Sequence, residues 1–365
     1  MKPVSVDPEE LRRALMSAGA VAVGFAELGE VESGVWEEFE RWLAAGNNAG
    51  MAYMANHAAI RRNPALLLDP PAENGSNNDS DGSSSTATGS VISLAFRYPA
   101  NPEYRPGALR FARYALGDDY HEVLRERLQP VCRRLNDAGW RTRICVDSAP
   151  ILERYWAVRA GLGFIGRNRQ LIIPGVGSYL FLAEIITDIP LPPDTPCKGA
   201  CPPDCDACLR ACPHGALGET ARDKSALGET ARAEGIKPAG LDARRCLSYL
   251  TIEHRGASLP FTLAANRPYG CDICQEACPF NREAAETAEA GASDAKAVVL
   301  PEFRPRPELL ALTGAEATAL DQPAFSALFR HSPVKRAKLA GLLRNLSASQ
   351  GAIPDFFKKK GRNSL

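Results

Sequence analysis

Cys201-Pro-Pro-Asp-Cys205-Asp-Ala-Cys208-Leu-Arg-Ala-Cys212-Pro213 and, some seventy residues on, Cys271-Asp-Ile-Cys274-Gln-Glu-Ala-Cys278-Pro279 are the stretches that decide this fold. With the lone Cys246 they supply eight thiolates, the complement of two [4Fe–4S] clusters. Each run closes on Cys-Pro, the mark of the two-cluster bacterial ferredoxin arrangement, in which the last cysteine of each run ligates the other cluster. Cys201, Cys205, Cys208 and Cys278 are therefore expected on one cluster, and Cys212, Cys246, Cys271 and Cys274 on the other. One step is irregular: three residues separate Cys201 from Cys205 where two are usual, which leaves Cys197 as an alternative to Cys201. Structural zinc, the competing use of paired cysteines, takes two ligand pairs rather than three close cysteines and a fourth with proline. Cys132 and Cys145 read as ordinary buried thiols.

Working outward, the chain reads as a water-soluble enzyme of more than one domain. Its 365 residues are 45% apolar and 24% charged, enough to bury a sizeable core. Lys+Arg and Asp+Glu both total 43, so net charge points to no partner. The eleven cysteines fall in metal-ligand spacings, not a disulfide framework, and Met1–Glu10 has no apolar signal core. No apolar run reaches the ~18 residues of a membrane span. A cytoplasmic location is expected, and no membrane contact.

Before the cysteines, residues 8–28 predict a helix, a turn at Gly19 and a strand. Residues 35–68 predict mostly helix with Trp36, Phe39, Trp42 and Leu43 in the core. Strands are expected at Val91–Phe96 and Thr142–Val146 and within 170–187, with helices over 117–139 and Ile151–Ala160. Such alternation indicates an α/β or α+β catalytic domain. The polar stretch 71–90 reads as a disordered insertion. ALGETAR, at 216–222 and again at 226–232, marks a duplicated loop insertion within 216–240, too short for a repeat architecture. Residues 305–345 are again helical. From 326 to 365 nine Lys/Arg face one acid, Asp355; such an end can dock phosphates or be a solvated tail. The expected partition is 1–190 (catalytic), 191–285 (ferredoxin-like) and 286–365 (helical with a basic tail).

Several stretches resemble epoxyqueuosine reductase. They are Met51-Ala-Tyr-Met54-Ala-Asn-His57; Arg113-Tyr-Ala-Leu-Gly-Asp-Asp-Tyr-His121; Val146-Asp147-Ser-Ala-Pro150 with Glu153-Arg154; Ala160-Gly-Leu-Gly-Phe-Ile-Gly-Arg-Asn168; Gly177-Ser-Tyr-Leu-Phe-Leu-Ala-Glu184; Asp242 to His254; and Gly270 to Gln275. The likeness runs from about residue 8 to 345, outside the two insertions.

The resemblance implies a base-off cobalamin beside two [4Fe–4S] clusters, in a fold of the reductive-dehalogenase/nitroreductase-like kind joined to a bacterial-ferredoxin-like domain. It implies reduction of epoxyqueuosine to queuosine at the wobble position, 34, of the tRNA anticodon loop. Deoxygenating an epoxide takes two electrons and at least one proton; clusters carry single electrons, and low-valent cobalt can pair them. Asp147 matches the family's proton donor. A carboxyl acts as such near neutral pH if burial raises its pKa; alternatively Asp147 or Ser148 N-caps the helix near Pro150. Arg61, Leu171, Leu182, Ser248, Asp272 and Ile273 match positions around cobalamin, and Arg154 with Ile252, Glu253, His254 and Arg255 match positions near tRNA. Lys335, Arg336, Lys338 and Arg344 are the candidates for phosphate contact. His121 reads as pocket-lining, since the family leaves cobalt without a protein histidine.

The chain departs from the family pattern in the Cys201–Cys205 spacing, in Arg167 where lysine is commoner, in the two insertions, and in showing no long C-terminal helical-repeat domain. A low-potential electron donor and a monomer are expected. The rival readings are a small-molecule cobalamin reductase akin to reductive dehalogenases, and a ferredoxin-type electron carrier, which leaves some 190 residues before the clusters unexplained.

Overall fold

The computed structural model describes residues 5–68, 88–218, 240–260, 266–289 and 298–349. Most of the polar insertion, the duplicated ALGETAR units and the lysines of the tail lie outside the described residues.

Helix α1 (Pro8–Ser17) starts where Asp7 accepts the Glu9 and Glu10 amides, and it buries Leu11 and Leu15. Strand β1 (Ala22–Glu27) follows, then α2 (Ser33–Ala44), α3 (Ala58–Arg62) and β2 (Ser90–Arg97). The expected long helix over 35–68 breaks after Ala44, because Gly46 takes a positive φ of 67° and His57 one of 54°. Next come α4 (Tyr120–Asp137), β3 (Thr142–Cys145), α5 (Glu153–Arg159), the short pair β4 (Phe164–Ile165) and β5 (Leu171–Ile172), and β6 (Leu180–Thr187).

β1, β2, β6 and β3 lie side by side in that order, every pair antiparallel. The part of the chain built on this sheet is therefore α+β. Side chains alternate between its faces. Phe25, Ile92, Leu94, Phe96, Phe181 and Ile185 pack on one face with α1 and α4. Val91, Ala95 and Ile186 pack on the other with Trp156, Ala157 and Ala160 of α5 and its C-cap. Burying each large apolar side chain contributes about 1.5–3 kcal/mol. α5 comes so close that a Cβ at Gly24 would collide with the Ala160 carbonyl.

The cysteine region holds α6 (Ala207–Ala211), the pair β7 (Leu217–Gly218) and β8 (Gly240–Leu241), and helices Leu247–Ile252, Ile273–Glu276 and Pro279–Glu289. It is stitched to the sheet. Asn281 accepts the Ser178 amide at 2.6 Å, and its Nδ2 donates to Ser178 Oγ at 3.0 Å. Arg113 binds Asp272 and Glu276 at 3.2 and 2.7 Å. The C-terminal helices, ending in Lys338–Ser349, cover Leu109, Phe111 and Leu116.

Candidate active site

Asp147 leaves the end of β3 in the left-handed region, φ 54°. A non-glycine residue stays there when its surroundings over-determine it, and two helices do so. From α4, Tyr120 Oη donates to Asp147 Oδ2 at 2.7 Å and His121 Nε2 lies 3.1 Å from the same oxygen. Also from α4, Arg125 donates to Ser148 Oγ at 2.6 Å. From α5, Glu153 accepts the Asp147 amide. The N-capping alternative does not hold: α5 begins at Glu153 with Leu152 before it, and no side chain caps it.

The helix start itself sets the histidine. Asp119 N-caps α4 by accepting the His121 amide at 3.0 Å, and its carboxylate meets His121 Nδ1 at 2.7 Å. Tyr120 stacks on Phe181 at 4.4 Å and against His121 at 4.0 Å. Asp147 still keeps 58% of its side-chain surface exposed.

The electrostatics differ from the sequence expectation. Burial alone would raise the Asp147 carboxyl. Hydrogen bonds from His121 and Tyr120, and the charge of His121, outweigh burial and hold it below the ordinary carboxylate range. The proton resides nearby instead. Burial works against a charged His121, yet its bonds to Asp119 and Asp147 push it up to about 9. Burial, then the charge of Asp147, pushes Glu153 up to about 8.

The other expected residues differ in burial and in partners. Arg61 is buried, donates to the Tyr53 carbonyl at 3.2 Å, and leaves its Nε without a protein partner. Tyr53 is 45% exposed, and the Arg336 guanidinium lies 5.9 Å over its ring. Arg336 is clamped by both oxygens of Glu253, and its charge reaches Asp147. Leu171 is buried and Leu182 half-buried on the α5 face of the sheet. Ser248 is half-buried after Cys246; Asp272 and Ile273 are buried, Asp272 accepting the Arg113 amide at 2.9 Å.

Arg154 donates to the Arg169 carbonyl at 2.9 Å. Ile252 is buried, His254 meets the Ser258 carbonyl, and Arg255 donates to Ile252. Lys335 and Lys338 are exposed. Arg344 differs from them: its donors go to the carbonyls of Leu250, His254 and Gly256 and to Asn345, so it anchors the 254–256 loop. Tyr120, Glu153 and Glu184 stood inside the resembling stretches but were given no role from sequence.

The cysteines form two sets. Cys201, Cys205, Cys208 and Cys278 line one cavity with Arg167, Asn168, Ile172 and Phe280; Cys197 is not among them. Cys274 feels Cys271, Cys246, Cys208 and Cys212, so the cysteines expected on the second cluster lie near one another and beside Cys208 of the first. Among the described residues no group of three or more His, Cys, Asp or Glu is arranged to hold a single metal ion. Four sulfurs line this one cavity, as the cluster expected from the cysteine spacing requires. Two departures from the family pattern meet here: Arg167 donates to the carbonyls of Cys205 and Pro203, both at 2.6 Å, and so grips the long Cys201–Cys205 loop.

Residues 83–148 match the family model described as epoxyqueuosine reductase QueG, DUF1730, and residues 200–281 match that of a 4Fe-4S double cluster binding domain. The epoxyqueuosine reductase of Cellulophaga algicola is 32% identical over 352 residues, 93% of this chain and 99% of that protein. That of Pseudomonas aeruginosa is 35% identical over 368 residues, 95% of this chain and 87% of that one. A crystal structure of epoxyqueuosine reductase with an epoxyqueuosine-modified tRNA-Tyr stem loop superposes with a TM-score of 0.74 at 28% identity, covering 93% of this chain and 80% of that one. The Bacillus subtilis enzyme, with its catalytic aspartate loop swung out of the active site, gives a TM-score of 0.73 at the same identity and coverage.

Proposed function

The chain belongs to the epoxyqueuosine reductase family, and on that premise we propose that it removes the epoxide oxygen from epoxyqueuosine at position 34 of tRNA, leaving queuosine. The observation that carries this is the Asp147 carboxylate, tethered by Tyr120 and backed by a protonated His121 in a chain that also gathers cluster-type cysteines around a cavity. Cys201, Cys205, Cys208 and Cys278 would hold one [4Fe–4S] cluster, and Cys212, Cys246, Cys271 and Cys274 the other, next to the cobalamin. Arg61, whose buried Nε has no protein partner, fits a polar group of cobalamin, with Leu171, Leu182, Ser248, Asp272 and Ile273 around it. When bound, cobalamin pairs the single electrons delivered by the clusters.

The chain's own residues supply position and protons. Tyr120 and His121 position the Asp147 carboxylate. His121, which remains charged at neutral pH, passes a proton through Asp147 Oδ2 to the departing epoxide oxygen. Tyr53, Arg336, Glu253 and Arg154 border the space for the modified base, while Lys335 and Lys338 reach phosphates. Arg344 acts by holding the 254–256 loop. Electrons come from a low-potential one-electron donor, and the work is done in the cytoplasm, where tRNA is.

An anaerobic assay on tRNA bearing epoxyqueuosine tests this reading. Loss of one oxygen atom from the base is expected. A tRNA left unchanged by reduced, fully loaded enzyme overturns the reading.

A further inference from the structure

A polar row crosses the centre of the sheet, and the chemistry above leaves it unused. Gly24, Ser93, Glu184 and Cys145 stand in register on β1, β2, β6 and β3. They lie on the face that α5 covers. Glu184 is fully buried, and neither of its carboxyl oxygens has a protein partner; the same holds for Ser93 Oγ and for Trp156 Nε1 of α5. Buried polar groups are nearly always paired, and an ionised carboxylate without a partner is costly in such a place. A neutral carboxyl, keeping its proton, is the form this site tolerates.

Position supplies the rest. Asp147 lies two residues beyond Cys145, the strand partner of Glu184. Glu153, on the first turn of α5, binds the Asp147 amide. Three acids thus mark stations from the sheet centre to the Asp147 loop. The titratable groups facing Glu184 are Cys145 on β3, Glu153 on α5 and Asp147 on the loop. Burial, then the charges of Glu153 and Asp147, holds Glu184 protonated far above the ordinary range.

We propose that Glu184 is the proton reserve behind Asp147, a positioning residue whose proton passes by way of Glu153 to the Asp147 carboxylate. The inference rests on the deoxygenation reading. Removing an epoxide oxygen as water breaks two C–O bonds, forms one C=C π bond, and consumes two electrons and two protons. The electrons come from the one-electron donor. His121 supplies one proton through Asp147, and Glu184 supplies the second and becomes a carboxylate. With tRNA bound over Asp147, the second proton is drawn from the protein side. Glu184 regains its proton from solvent after product leaves.

Infrared difference spectra of loaded enzyme, wild type minus Glu184→Gln at neutral pH, test the protonation without any substrate. A protonated-carboxyl C=O band that shifts in D2O is expected, and its absence overturns the proposal. On epoxyqueuosine tRNA, Glu184→Gln should turn over at least about tenfold more slowly. Its KM and its iron and cobalamin contents should match wild type, while Glu184→Asp should regain activity. A solvent isotope effect larger in Glu184→Asp than in wild type is expected, and this comparison stands even where the Gln variant fails to fold. Wild-type turnover with an unchanged pH profile in Glu184→Gln, or an unchanged isotope effect in Glu184→Asp, overturns the relay and leaves the functional reading intact. A wild type that leaves the epoxide in place counts against the functional reading instead.

Discussion

At the scale of single residues, the site turns on where the proton rests. The resemblance made Asp147 legible as the donor, but its ionisation was not legible. The groups that set it, Tyr120 and His121, lie more than twenty residues earlier in the chain and meet it only because α4 starts beside the end of β3. Asp147→Asn keeps the shape and removes the charge. It should cut turnover by about 10²–10⁴-fold while cobalamin and iron contents stay unchanged, as optical spectra of the anaerobic protein would show. His121 holds its proton up to about 9, so kcat/KM should hold through neutral pH and fall as pH rises through about 9. His121→Gln should lower activity and erase that limb. Stability should follow Glu153. Folded Glu153 keeps its proton up to about 8, against an ordinary value of 4.5. The folded state therefore binds the extra proton between those values and loses stability as pH rises through them. Thermal unfolding of Glu153→Gln should show a shallower decline over that range.

At the scale of elements, strands and helices with strong periodicity were readable, and backbone breaks were not. The aromatic residues Trp36, Phe39 and Trp42 do lie on one helix, yet that helix stops at Ala44 because the following residues adopt turn geometry with a left-handed Gly46. The irregular Cys201–Cys205 step was visible in sequence, but its compensation was not, since Arg167 reaches the loop only through the β4–β5 hairpin. Arg167→Lys trades a fork that meets two carbonyls for a point donor. The variant should lose iron from the Cys201 set faster than wild type under chelator, with the second set spared; equal loss from both would contradict the role.

At the scale of the whole molecule, the cysteine runs announced electron transfer, and the residues before them supplied its destination. In the proposed arrangement each run keeps three or fewer ligands for its own set and gives its last cysteine to the other, so the sets are joined through the chain fold. Cys278→Ala and Cys212→Ala should therefore each reduce iron from about eight to about four per chain, although the two residues sit on different runs. The tRNA face was least legible. Charge counting grouped Arg336 and Arg344 with Lys335 and Lys338, whereas the fold pairs Arg336 with Glu253 and spends Arg344 on loop carbonyls. In this mechanism Asp147 passes the protons, and the clusters supply the electrons, for deoxygenation of a tRNA base. The most direct test is single-turnover mass spectrometry of epoxyqueuosine tRNA with pre-reduced enzyme. Wild type is predicted to convert the base by loss of one oxygen atom, while Asp147→Asn, with the same iron and cobalamin, leaves it intact. Equal conversion by both would contradict the account.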